Sequence, residues 1–221
     1  MTPKSALSIS SSSRNSALPF AIELARTAGK KLTRWFGHTE VQTKPDGTTL
    51  TQADTEVDSF ICTEIRTNFP EDQIISEEMN HSYSNKTANV WVIDPLDGTT
   101  NFSQGMPLWG VSIALLEHGQ PTMAVLYFPT LNLLFHAEKG AGAFANGDRI
   151  STPMTSEVTR HSIFTCSAGA EPHYSLRVPA KKRTFGSATY ELCMIASGQV
   201  LFSIVAKPKI WDLAAAWLLI N

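Results

Sequence analysis

The run Val90-Trp91-Val92-Ile93-Asp94-Pro95-Leu96-Asp97-Gly98-Thr99-Thr100-Asn101-Phe102 constrains this chain more than any other stretch. Its first four residues are β-branched or aromatic without interruption, which predicts a strand buried in the interior. Pro95 holds its own φ and pushes Asp94 towards an extended conformation, so the strand is expected to end on a carboxylate. Asp97-Gly98 then turns the chain, and Gly98-Thr99-Thr100 offers small residues whose amides an anion can approach closely. Two carboxylates three residues apart, on a turn stiffened by proline, form half a cage for a hard divalent cation. Oxygen-only ligands of this kind suit Mg²⁺. Taken alone, Asp-Pro-x-Asp-Gly reads equally well as a plain turn, because each residue is a common turn former.

Around this stretch the chain alternates between helical and strand patterns. Apolar residues at helical spacing predict a helix over Ala17–Phe36, ended by Gly37, and a second over Gln52–Phe69, followed by Pro70. Thr39–Lys44 and Gln73–Ser76 read as short strands, the first followed by a turn at Pro45-Asp46-Gly47. Trp109–Glu117, Pro121–Phe128 and Asn132–Glu138 read as an antiparallel meander, and Lys139–Gly147 as a loop-rich return with a turn at Asn146-Gly147. Beyond Thr152-Pro153 come strands over Ser162–Cys166, Lys182–Phe185 and Val200–Ala206, with helices over Glu171–Val178 and Ala188–Ala196. Leu213–Ile220 is apolar all round, as in a fully buried helix. The expected organisation is a Ser-rich disordered leader (1–16), an α+β subdomain (17–152) and a smaller α/β subdomain (153–221).

Three separated segments, in order, carry a resemblance. Ile74-Ile75-Ser76-Glu77-Glu78, the Asp94–Thr99 turn and Ile210-Trp211-Asp212-Leu213-Ala214-Ala215 resemble the inositol monophosphatase family. That is the Mg²⁺-dependent, lithium-sensitive phosphatase superfamily, which also holds fructose-1,6-bisphosphatases. The likeness runs from about Leu18 and includes Lys139–Gly147, which is similar to the family's K-G-x-G-A-x-x-N-G segment. It implies an α+β layered sandwich (αβαβα) that hydrolyses a small polyol or sugar phosphate. Carried over by residue, it makes Glu77, Asp94 and the Leu96 carbonyl ligands of one Mg²⁺. Asp94, Asp97 and Asp212 hold a second, and a weaker third sits near Glu77. It pairs Thr99 with Asp54 to polarise the attacking water, lets the Gly98 and Thr99 amides cradle the phosphate, and sets Ala188 of Gly186-Ser187-Ala188 beside the sugar. Paired metals about 3.5–4 Å apart supply the charge neutralisation and aligned water that such hydrolysis needs.

Each of these residues also has a structural role open to it. Asp54 stands three positions after Thr51 and can complete a capping box. Glu77-Glu78 can be a solvated loop pair, Asp212 an acidic residue in a first helical turn, and Thr99 a helix cap. Lys44 resembles the lysine that precedes the acidic residue of the family's Thr-Ala-Asp segment, here Thr51-Gln52-Ala53-Asp54, with the interval shortened by a residue; it reads as well as a solvated strand lysine.

Two departures bear on substrate and extent. Inositol-preferring members often carry a carboxylate seven residues before the Trp-Asp pair, where this chain has Val205. Lys207 and Lys209 nearby suit a second anionic group, so fructose-1,6-bisphosphate, histidinol phosphate and 3′-phosphoadenosine 5′-phosphate stand beside inositol 1-phosphate. Relatives are expected to continue past the point corresponding to Asn221, so a truncated C-terminal layer is expected, and with it a second possibility: an inactive, phosphate-binding or dimer-forming relative.

Net charge is only −2, and no Lys/Arg stripe runs along the chain, so no nucleic-acid partner is expected. No apolar run has membrane-spanning length. Cys62, Cys166 and Cys193 are odd in number and lack C-x-x-C spacing, which reads as reduced thiols of a cytoplasmic protein. The six histidines show no ligand spacing. The family resemblance implies a homodimer.

Overall fold

The Val90–Ile93 run is the second strand of the main sheet, and the layers are built outward from it. The structure, a computed structural model, describes residues 17–79, 88–152, 157–167 and 176–221. In chain order these form α1 (Ala17–Leu32), β1 (Val41–Thr43), β2 (Thr49–Thr51), α2 (Gln52–Asn68), β3 (Gln73–Ser76) and β4 (Asn89–Asp97). A short α3 (Thr99–Ser103) leads to β5 (Gly110–Glu117), β6 (Gln120–Phe128), β7 (Leu133–Glu138), β8 (Gly142–Ala145) and β9 (Asp148–Ile150). The rest comprises β10 (Ile163–Cys166), β11 (Lys181–Arg183), α4 (Ala188–Ala196), β12 (Ser203–Ile204) and α5 (Ile210–Ile220).

β3 to β9 lie side by side in sequence order as one seven-stranded sheet. β3 and β4 pair in parallel, and every later pairing is antiparallel. Because side chains alternate along a strand, the uninterrupted apolar run of β4 feeds both faces. Trp91 and Ile93 join Val111, Ile113 and Val125 beneath α1 and α2. Val90 and Val92 join Ala114, Leu126 and Phe135 against α4 and α5. Trp91 and Ile93 are fully buried, each worth about 1.5–3 kcal/mol in area removed from water. A second sheet, β11-β10-β12, is parallel throughout. Ile163 of β10 faces α4 and α5, while Phe164 and Cys166 face a separate cluster with Val178 and Phe202. The result is a layered α/β sandwich, as expected.

Several boundaries differ from those expected. β4 does not stop at Asp94: Pro95 interrupts the ladder, and pairing resumes at Asp97 opposite Gly110. Proline has no N–H to donate, so a bulge there keeps both carboxylates on one strand end. The Lys139–Gly147 return contains β8, joined to β9 by Asn146-Gly147 with φ of 49° and 91°, the two positive angles a tight hairpin turn requires. Of the strand expected over Val200–Ala206, only Ser203–Ile204 pairs. α5 is not buried all round: Ala214, Ala215 and Leu219 pack inward, but Trp217 is 60% exposed. The leader expected over Met1–Ser16, and most of the helix expected over Glu171–Val178, lie outside the described residues.

Candidate active site

The end of β4 supplies the floor. Asp94 is buried, and its Oδ1 accepts the Leu96 amide at 3.0 Å, a bond that folds the carboxylate back over the Pro95 bulge. Three residues on, Asp97 is held by the start of α4. Its Oδ2 accepts the Ser187 hydroxyl at 2.5 Å and both the amide and hydroxyl of Thr189. Gly98 follows at φ +85°, where an added Cβ would stand 2.8 Å from the Leu108 carbonyl. Only glycine meets both conditions without strain. Gly98, not Thr99, is the N-cap of α3, and Thr99 is its first residue.

Neighbouring elements close in from three sides. The β1–β2 turn brings Lys44 to the end of β3, where its Nζ lies 2.7 Å from Glu77 Oε1 and 2.6 Å from Glu78 Oε1. These glutamates are therefore not a solvated pair; the Lys44, Glu77 and Glu78 side chains are only 15%, 22% and 8% exposed. α2 brings Asp54, which serves two ends at once. Its Oδ2 accepts the amide and hydroxyl of Thr51, closing the helix start, and its Oδ1 accepts the Thr99 hydroxyl at 3.1 Å. The cap and the family pairing are thus compatible, one carboxylate oxygen for each. α5 brings Asp212, whose Oδ2 accepts the Lys209 amide at 2.7 Å.

Glu77, Asp94, Leu96, Asp97, Gly98, Thr99 and Asp212 line a single cavity of about 200 Å³, with Thr48, Thr49, Thr100 and Gly186. Burial drives its electrostatics. Asp94 is raised well above the ordinary carboxylate range, first by burial and then by the charges of Glu77, Asp97 and Asp212. Asp212 is pushed up to about 6 by burial, against the Lys209 amide, with Asp97 and Glu77 adding to the rise. Glu77 and Glu78 are raised by burial despite Lys44. Asp54 is raised by burial against its bonds from Thr51 and Thr99. Among the described residues, no three of these side chains stand drawn together as a ready-made metal cage. Each carboxylate instead faces a donor of the protein itself: Lys44, the Leu96 amide, the start of α4 or the Lys209 amide. Four crowded carboxylates still define a place where charge must be neutralised, by protons or by a hard cation.

Two of the expected residues do not line the cavity: Asp54, which reaches it only through the Thr99 hydroxyl, and Ala188. The Ala188 amide reaches Asp97 Oδ1 at 3.2 Å, and Gly186 lines the cavity instead. Val205, Lys207 and Lys209 do not line it either. Sequence reading missed Thr48 and Thr49, which arrive because the β1–β2 hairpin docks through a Thr49–Thr100 hydroxyl contact of 2.9 Å. It also missed Ser187 and Thr189, and the buried Glu191 and Asn101 that hold the Phe185-Gly186 turn through the Phe185 amide and carbonyl. A lone acidic residue in the otherwise uncharged run Ala188–Ala196 was the one available signal. Among the described residues, larger cavities lie beside Trp217 and beside His161, and neither gathers these carboxylates.

Comparison with known proteins agrees with this fold. A profile of the "Inositol monophosphatase family" matches residues 14–221. A histidinol-phosphatase of Chlorobaculum parvum is 33% identical over 90% of this chain and 80% of its own length. A fructose-1,6-bisphosphatase/inositol-1-monophosphatase of Thermotoga maritima is 32% identical over 92% of this chain and 81% of its own. A Nus factor SuhB of Vibrio cholerae is 34% identical over 91% and 80%. Among solved structures, the extragenic suppressor protein suhB of Bartonella henselae superposes with a TM-score of 0.84 at 28% identity, covering 93% of this chain and 84% of that one. With a protein named as a Nus factor among its relatives, the expected absence of a nucleic-acid partner finds no support in the comparison. Among the described residues no helix is long and apolar enough to cross a membrane. The fold and the extent of the match lead to one assignment: this chain belongs to the inositol monophosphatase family of phosphatases.

Proposed function

We propose that the protein is a Mg²⁺-dependent phosphomonoesterase acting on a small polyol or sugar phosphate, with inositol 1-phosphate the first substrate to try. The observation that carries this reading is the convergence of four carboxylates from β4, the end of β3 and the start of α5 on one cavity, beside the Thr99–Asp54 pair. The donor set fits Mg²⁺: it is all oxygen, rich in carboxylate, and contains no histidine or thiol. Glu77, Asp94 and the Leu96 carbonyl would hold one ion, Asp94, Asp97 and Asp212 a second, and a weaker third would lie near Glu77. Bound there, Mg²⁺ supplies neutralisation of phosphoryl charge and acidification of a ligand water.

The chain's own groups do the rest. The Thr99 hydroxyl has one hydrogen and two acceptors, Asp54 Oδ1 at 3.1 Å and the Leu96 carbonyl at 3.0 Å. When the carbonyl serves a cation, that hydrogen belongs to Asp54. The Thr99 oxygen lone pairs then face the cavity and orient a water by accepting its proton's hydrogen bond. The Gly98 and Thr99 amides receive the phosphate oxygens at the start of α3. From the family resemblance the reading takes a cytoplasmic homodimer that is sensitive to lithium.

The test is phosphate release from inositol 1-phosphate, fructose-1,6-bisphosphate, histidinol phosphate and 3′-phosphoadenosine 5′-phosphate, with Mg²⁺, with chelator and with added Li⁺. Release that requires Mg²⁺ supports the reading. A folded protein that releases nothing from any of the four with Mg²⁺ present overturns it. That outcome favours the second reading, a non-catalytic, phosphate-binding or dimer-forming relative.

A further inference from the structure

The hydrogen bonds of Asp97 are unequally divided between its two oxygens. Oδ2 takes three donors: the Ser187 hydroxyl at 2.5 Å, the Thr189 amide at 2.9 Å and the Thr189 hydroxyl. Oδ1 takes only the Ala188 amide, at 3.2 Å. Ser187 and Thr189 are themselves buried, 2% and 1% exposed. The direction of the Ser187 hydroxyl is set from behind, because its oxygen also accepts the Tyr190 amide at 3.3 Å as the cap of α4, leaving its hydrogen to point at Asp97. α4 in turn is fixed. Cys193, Met194 and Ala196 are buried between the two sheets, and Glu191 ties the helix to the Phe185 amide at 2.8 Å and to the Ser203 hydroxyl at 3.2 Å.

We propose that Ser187 and Thr189 are positioning residues that saturate one oxygen of Asp97, so that only Oδ1 is presented to a cation in the cavity. The proposal rests on the metal reading given above. A carboxylate free to rotate must be ordered when a cation binds; one whose far oxygen is locked by three donors on a rigid helix is ordered beforehand. The same contacts make Asp97 an external cap for α4, so the cation site and the docking of α4 share a single side chain.

The experiment is a calorimetric titration of the folded full chain with Mg²⁺ alone, run for the unaltered protein, Thr189→Val, Thr189→Ser and Asp97→Asn. Valine keeps the shape and the amide of threonine and removes only the hydroxyl. Thr189→Val is expected to weaken Mg²⁺ binding about tenfold, and Thr189→Ser, which restores the hydroxyl, to bind like the unaltered protein. A purely structural role would lower thermal stability without separating valine from serine in Mg²⁺ affinity. Should Thr189→Val not fold, Thr189→Ala is titrated in its place with the same expectation. Mg²⁺ binding by Thr189→Val equal to that of the unaltered protein, with Asp97→Asn weakened, overturns the positioning role and leaves the metal reading standing. Unchanged binding by Asp97→Asn removes the metal reading of this site, and the positioning role with it.

Discussion

Replacing Lys44 by methionine isolates the electrostatics of the site from its catalysis. Among the described residues, Lys44 is the cation held between Glu77 and Glu78, at 2.7 and 2.6 Å. Burial alone would depress its pKa; hydrogen bonds and charge from the two glutamates outweigh that and hold the ammonium above its usual range. Methionine fills the space but leaves two half-buried carboxylates facing each other. Removing one partner of a fully buried pair costs roughly 3–5 kcal/mol. With the three side chains 15%, 22% and 8% exposed, solvent screening brings the expected loss down to about 2 kcal/mol. For a chain of this length that is a fall in Tm of about 4–8 °C. The loss should also depend on pH. Glu77 and Glu78 are already raised by burial despite Lys44, and without it they rise further. Groups whose folded pKa is raised destabilise the fold while ionised, and that penalty is relieved as pH falls through the folded pKa. Thermal unfolding followed by circular dichroism in chelator should therefore show the full gap between Lys44→Met and the unaltered protein at pH 8 and a much smaller one at pH 5. A variant within 1 °C at pH 8, or a gap of equal size at both pH values, refutes the reasoning.

Three further predictions follow from the same geometry. Asp54→Ala and Thr99→Ala should both lower phosphate release by about 10²–10⁴-fold, but Asp54→Ala should cost about 1 kcal/mol more in stability, because it also removes the acceptor for the Thr51 amide and hydroxyl at the start of α2; equal Tm values would contradict the split role. Gly98→Ala should cost about 1–3 kcal/mol in denaturant unfolding, since it adds a Cβ at φ +85° and 2.8 Å from a carbonyl oxygen. The metal-free protein should become more stable as pH falls from 7.5 to 5: Asp94 and Asp212, the latter pushed up to about 6, bind protons more tightly folded than unfolded. Added Mg²⁺ should flatten that dependence in a pH series of melting curves, and a slope of the opposite sign would count against the burial of these carboxylates.

Much of the main layer was legible because its signals are local. α2 starts at Gln52 and β3 spans Gln73–Ser76, both as expected, since Pro70 and the change of hydrophobic period mark those edges within a few residues. The meander β5–β7 was legible for the same reason, with His118-Gly119 turning it at φ of 50° and 78°. The small sheet was less so. β12 pairs over only Ser203–Ile204, and no local pattern separates that pair from its unpaired neighbours. The exposed Trp217 face of α5 was missed because an all-apolar run carries no information about which side finds a partner.

The sequence by itself determined that a buried strand would end in two carboxylates around a proline and that other acidic segments stood upstream and downstream. What those acids do was decided by tertiary structure. Glu77, Asp97 and Asp212 are far apart along the chain, and nothing in their spacing says that they line one cavity; that follows from the parallel pairing of β3 with β4 and from α5 packing on the same sheet. The partners that tune them, Lys44, Ser187 and Thr189, are likewise set by how a hairpin and a helix dock. A carboxylate's charge state and orientation depend on groups within a few ångströms in space, and only folding brings those groups there.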